Sequence, residues 1–189
     1  MMRLHVIIAS TRPNRIGPAI GHWFHGFASE HGGFDSHLVD LADFDLPVFD
    51  EPRHPALGDY AHAHTKRWSE SVKAADAFAF VTPEYNFGPP PSLLNALNFV
   101  YREWNYATAG IVSYGGVSGG TRAGQALRPT LSVLKMPAMA EGVAIPMAAA
   151  QISDGKFIAN ELNDLAAKAM LDEMARWTGA LAGLRAERK

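Results

Sequence analysis

Five times along the chain a short, unbroken apolar run is followed by apolar residues at helical spacing, and that alternation leaves few folds open. The runs fall at residues 4–9, 36–41, 77–82, 109–114 and 142–147. In "HVIIAS" and "FAFVTP" apolar residues stand next to one another instead of alternating with polar ones. This suits strands covered on both faces, as in parallel sheets. Between the runs lie stripes predicting helices: Ile16, Ile20, Trp23, Phe24 and Phe27; Tyr60, His64, Trp68 and Val72; Leu93, Leu97, Val100 and Trp104; Leu127, Leu131 and Leu134. Residues 161–184 close the chain with a fifth.

The economical architecture is an open three-layer α/β sheet with right-handed crossovers. The 189 residues contain no composition break or internal repeat, so one domain is expected over 1–189. Cysteine is absent, which removes disulfides, thiolate catalysis and thiolate metal sites together. The formal net charge of −2 gives no global field that would recruit nucleic acid or anionic membrane. No stretch approaches the roughly 20 apolar residues of a membrane span, and the N-terminal apolar run is too short for a signal peptide. A soluble, cytoplasmic protein is expected.

In such a fold ligands bind beyond the carboxyl ends of the strands, which directs attention to three loops. The first, "STRPNRIG", offers the hydroxyls of Ser10 and Thr11, the guanidiniums of Arg12 and Arg15, and Gly17 at the start of a helix. That set suits a phosphate monoester, although a solvated loop with a turn at Pro13 would read the same way. Neither GxGxxG nor a P-loop lysine is present, so a phosphate here would be held mainly by side chains. The second loop, "TPEYNFGPPP", combines a strand end at Pro83 with Asn86 and Gly88, both able to take positive φ. It reads as a rigid loop aiming backbone N–H groups at a planar heterocycle beside Tyr85, or as a prolyl turn capping a helix. The third, "SYGGVSGGTRAG", is too rich in glycine for a simple connector, which leaves close approach to a ligand or a hinge.

Together, "STRPNR", "TPEYN" and "SYGG", each closing an apolar run, resemble the NADPH-dependent FMN reductase family of flavodoxin-like flavoproteins, which includes quinone, azo-dye and chromate reductases. The resemblance implies a five-stranded parallel sheet in order 2-1-3-4-5. It also implies bound FMN, with NADPH or NADH as hydride donor and a flavin, quinone, azo compound or similar small molecule as acceptor. By residue, it puts Ser10, Arg12, Arg15 and Gly17 around the phosphate, Pro83, Glu84, Tyr85 and Asn86 along the isoalloxazine, and Ser113, Tyr114, Gly115 and Gly116 at the pyrimidine edge. Hydride transfer to FMN requires no side-chain acid or base, so only binding residues are nominated. Two positions depart from the family's usual pattern: Ala9 stands where glycine is common, and Phe87 where histidine is frequent. Both bear on acceptor preference.

The segment "PSLLNALNFVYREWN" carries apolar residues on more than one helical face, from which a homodimer is expected; the resemblance adds dimers of dimers. A metal site is not expected, because no HExxH accompanies the histidines and His62 and His64, two apart, would not share a helical face. The acids of "VDLADFDLPVFDEP" read as a solvated loop. A serine hydrolase lacks its GxSxG elbow. The rival from another class is a flavodoxin-type electron carrier, for which a near-neutral chain with two arginines in the phosphate loop is poorly suited; a flavin-binding scaffold with vestigial activity is a third.

Overall fold

A computed structural model describes residues 1–187. Five parallel strands form one sheet in the order β2-β1-β3-β4-β5: β1 (Met2–Ile8), β2 (Phe34–Asp40), β3 (Ala77–Pro83), β4 (Thr108–Tyr114) and β5 (Val143–Ile145). Five helices cover it: α1 (Gly17–His31), α2 (Ala63–Lys73), α3 (Pro91–Phe99), α4 (Thr121–Val133) and α5 (Glu161–Ala186). The expected flavodoxin-like order is the observed one.

The unbroken apolar runs are explained by two cores, one on each face. Along β3, Ala77, Ala79 and Val81 point to α1 and α5, while Phe78 and Phe80 point to α2, α3 and α4. On the first face Ile20, Phe24, Met170, Leu171 and Met174 are fully buried. On the second, Trp68 and Trp104 are the largest buried side chains, with the Trp104 ring 4.8 Å from that of Phe78. Near its C-terminus α5 is pinned by Arg185, which donates to the carbonyls of Ala75 and Asn105 at the opposite end of the sheet from the site described below.

Three expectations need correction. The apolar segment after Pro90 is not one long helix: α3 ends at Phe99, and Val100 is already extended at φ −136°. Its breadth of apolar character follows, since Leu93, Leu97, Phe99, Val100 and Trp104 are all buried in the chain's own core. The last strand is only three residues long, because Pro146 has no N–H to extend a ladder and Met147 turns to φ +49°. Finally, His62 lies outside α2 as its N-cap, in extended conformation, so its ring does stack on that of His64, 5.1 Å away and 12° from parallel. Beyond the sheet, β6 (Ile152–Ser153) and β7 (Lys156–Phe157) form a small hairpin whose Phe157 packs 5.0 Å from Trp23.

Strand β1 has β2 on one side and β3 on the other, and the connections after β1 and β3 lead to helices on opposite faces. This switch point opens a crevice at the carboxyl end of the sheet.

One buried histidine makes the fold acid-sensitive. His5 is flanked by the rings of His37 at 5.9 Å and Phe78 at 6.1 Å. Burial pushes its pKa down from 6.5 to about 4, helped by the charges of His37 and Arg3 and opposed by Asp76. The unfolded chain therefore binds the extra proton first, so this contribution is complete above pH 6.5 and declines as pH falls towards 4. His5→Phe should flatten that decline when denaturant midpoints are compared across the interval. Parallel curves for the two proteins would exclude His5 as its source.

Candidate functional site

The first loop is anchored from beneath. Ala9 continues the sheet by donating to Val81 O at 3.0 Å, and its own carbonyl accepts from Ser92 Oγ at 2.5 Å. Ala9 is fully buried and belongs to the core on the face of α2, α3 and α4. Ser10 follows, fully buried, with its Oγ accepting from the Tyr114 hydroxyl at 3.2 Å. Burial pushes the Tyr114 pKa up to about 12, so the phenol stays a donor at neutral pH. The start of α1 presses onto this pair: a Cβ at Gly17 would lie 2.5 Å from Ser10 Oγ and 2.6 Å from the Tyr114 hydroxyl. Glycine is needed there for packing.

The two arginines of this loop have different surroundings. Arg15 makes a two-pronged pair with Asp40 at the end of β2, both N–H···O distances being 2.7 Å, and also donates to the Ser10 carbonyl. The Asp40 hydrogen bond raises the Arg15 pKa further, so the guanidinium is permanently charged and permanently engaged. The same carboxylate accepts from Ala42 N at 3.0 Å. Arg12 is exposed and, among the described residues, has no ion-pair partner. Beside it the N-cap of α1, Ile16, makes no side-chain cap and the first turn holds no acid, leaving the positive helix end uncompensated.

The second and third loops are fastened to each other by Glu84. Its carboxylate, whose side chain is 7% exposed, accepts from Ser118 Oγ at 3.0 Å, Arg122 N at 3.1 Å and Arg122 Nε at 2.7 Å. It thereby caps α4 from across the site, where the N-cap Gly120 has no side chain to do so. The Arg122 hydrogen bond, the largest influence, holds the Glu84 pKa below the usual carboxylate value. Residues 85–88 form a tight turn with reciprocal Tyr85–Gly88 backbone bonds of 2.9 and 3.0 Å. Positive φ falls on Asn86 and Phe87, at 49° and 71°, and not on Gly88 as the sequence suggested. A phenylalanine in that conformation costs about 1–2 kcal/mol. The Arg122 guanidinium, 3.7 Å over the Phe87 ring, offsets part of it.

Above these supports opens a cavity of about 420 Å3, within the usual range for small-molecule sites. Of the residues nominated from sequence, Arg12, Arg15, Pro83 and Glu84 line it, as do Tyr85, Tyr114, Gly115 and Gly116. Ser10, Gly17, Asn86 and Ser113 do not. Ser10 and Gly17 sit beneath the first loop, and Ser113 donates to Gly119 O at 2.9 Å. The remaining wall comes from Ile16 and from a fourth loop, through Met147, Ala149 and Ala150. That loop is tied to the third by Met147 N to Gly116 O at 2.9 Å and Ala148 N to Gly115 O at 3.0 Å. The rule that directs attention beyond strand ends would have found it, had the last strand not been drawn through Met147. Among the described residues no three His, Asp or Glu side chains could jointly hold a metal ion, and no helix is long and apolar enough to cross a membrane.

A model of one protein family, described as NADPH-dependent FMN reductase, matches residues 2–150. The chain belongs to that family. It is 43% identical over 136 residues to an NAD(P)H-dependent FMN reductase of Schizosaccharomyces pombe, covering 71% of this chain and 68% of the relative. A quinone reductase of Pseudomonas putida is 32% identical over 146 residues, covering 74% and 76%. Among solved structures, the flavoenzyme NAD(P)H:(acceptor) oxidoreductase of Paracoccus denitrificans superposes with a TM-score of 0.77 at 21% identity, over 95% of this chain and 98% of that one, which supports the fold. As a member of the FMN reductase family the chain is an oxidoreductase with FMN and NAD(P)H as its cofactors. The site fits the first of these: an unpaired guanidinium and an uncapped helix start stand at one end, and the backbone of Gly115 and Gly116 lies in the wall.

Glu84→Ala removes the α4 cap and the Arg122 pair together and should destabilise the fold by about 1–3 kcal/mol. For a chain of this size that is a fall of roughly 2–10 °C in melting temperature. An unchanged melting temperature would show that the two loops are held by other means.

Proposed function

We propose that the cavity holds FMN, with its phosphate at Arg12 and the start of α1 and its ring between the second and third loops. Arg12 carries this reading: it is the guanidinium at the rim with no ion-pair partner among the described residues, beside a helix end with nothing to neutralise it. Arg15 acts from below, its charge balanced by Asp40 and its Nη1 holding the Ser10 carbonyl so that the loop keeps its shape. The Gly116 N–H in the cavity wall is the donor for the polar edge of the ring, where a preorganised dipole favours charge that develops on reduction, while the N–H groups of Glu84, Tyr85 and Gly115 are taken by backbone carbonyls. Tyr114 stays protonated and supports Ser10. FMN held there would supply the redox chemistry, hydride acceptance from NAD(P)H and two-electron reduction of an acceptor, while the residues named above would hold and orient it.

The acceptor we infer is a small planar oxidant, a quinone or a free flavin, in line with relatives that are an FMN reductase and a quinone reductase. The protein acts in the cytoplasm as a single flavin-binding domain over 1–189. It works as a homodimer through a groove of about 760 Å3 where Leu46, Phe49 and Leu94 meet Val48, which is 88% exposed. Sedimentation at micromolar concentration should give twice the chain mass, and a Val48→Asp variant should shift it towards the monomer. A single-chain mass for the unaltered protein would end the dimer reading.

The decisive experiment is spectroscopic. Protein loaded with FMN should be yellow and should bleach when NADPH is added without oxygen, whereas a flavodoxin-type carrier would keep its colour until a reductase was supplied. Arg12→Ala should weaken FMN binding by about tenfold or more, the worth of a charge-assisted hydrogen bond. Unaltered affinity would take Arg12 out of the site.

A further inference from the structure

The chain contains seven methionines, and six of them have no place at the cavity. Met136, Met139, Met170 and Met174 are buried in the two cores, Met2 packs against the edge of one, and Met1 is the exposed N-terminal residue. Met147 differs from all of these: it is 57% exposed and lines the cavity. The position is enforced by the backbone. Met147 sits at φ +49°, donates to Gly116 O and accepts from Ala150 N, each at 2.9 Å, so the loop presents this side chain beside Gly115 and Gly116. A thioether is soft and readily oxidised, and susceptibility rises with exposure.

We propose that Met147 is a modification site, the methionine this protein oxidises when it turns over in air; the inference rests on the flavin reading of the cavity. Reduced flavin that meets dioxygen in place of an organic acceptor gives up two electrons, and with two protons the dioxygen becomes hydrogen peroxide. One peroxide oxygen is transferred to the Met147 sulfur, giving the sulfoxide, and the other leaves as water. The lone pair forming the S–O bond comes from the thioether, so sulfur is oxidised by two electrons and the peroxide is reduced by two. Peroxide is formed in the cavity that Met147 lines, so this sulfur meets a higher local concentration than Met1 does. The product places a polar oxygen in a wall otherwise built here from Ile16, Ala149 and Ala150, and it is reversible by methionine sulfoxide reductases.

The test uses the FMN-loaded protein with NADPH in air and catalase in the buffer, followed by peptide mass mapping of every methionine. Met147 should gain one oxygen several-fold faster than Met1, by about fivefold or more, although Met1 is the more exposed of the two. Leaving out oxygen should abolish the gain. Apoprotein treated with dilute reagent hydrogen peroxide should lose that preference, with Met1 and Met147 reacting at comparable rates and the core methionines lagging. Oxidation of Met147 no faster than Met1 during turnover, or its suppression by catalase to the same degree as Met1, would overturn the inference while leaving the flavin reading intact. A protein that never becomes yellow or never bleaches overturns both, and the absorption spectrum distinguishes the two failures before any peptide is mapped.

Discussion

Carboxylates placed at strand ends hold this site in shape. Asp40 closes β2 and takes Arg15 from the loop after β1; Glu84 follows β3 and takes Arg122 from the start of α4. In each case the acid comes from one strand and the arginine from the connection of another, so the loops at the carboxyl rim form one braced frame. Half-buried and buried charge pairs of this kind are costly to break, because a lone partner keeps its desolvation penalty. The first three loops of the cavity wall are braced by that frame, and the fourth is tied to it through the backbone of Gly115 and Gly116.

The frame also sorts the cations. With Arg15 balanced by Asp40 and Arg122 by Glu84, the positive potential at the mouth is left to Arg12 and the beginning of α1. On the proposed reading, the pull of the site on a phosphate would depend as much on which guanidiniums are neutralised as on which are present.

Much of this was legible in the sequence. The sheet and its two buried faces follow from unbroken apolar runs such as "HVIIAS", because a strand covered on one side only would have alternated. The loops could be located because ligand sites gather beyond strand ends. Side-chain roles within the loops were less visible. Ser10 carries the hydroxyl a phosphate would want, yet it lies buried under Tyr114, a residue 104 positions away. Asp40 looked like one of several solvated acids in its loop, and only the parallel pairing of β1 with β2 brings it under Arg15. Helical spacing does not govern His62 and His64, because His62 is the extended N-cap of α2. The fourth loop was hidden by Val143, Ile145 and Met147, whose apolar character does not reveal that Pro146 has already ended the strand.

The long C-terminal helix has a further implication. The family match stops at residue 150, but α5 begins at Glu161 and supplies Ala167, Met170, Leu171 and Met174 to the core beneath β1, β3 and β4. The stretch bearing every recognisable signature keeps α1 on that face, but without α5 the apolar surface beside it would be left open to water. The borders of the recognisable stretch and of the packed core therefore differ in this molecule, the first ending before the helix that completes the second.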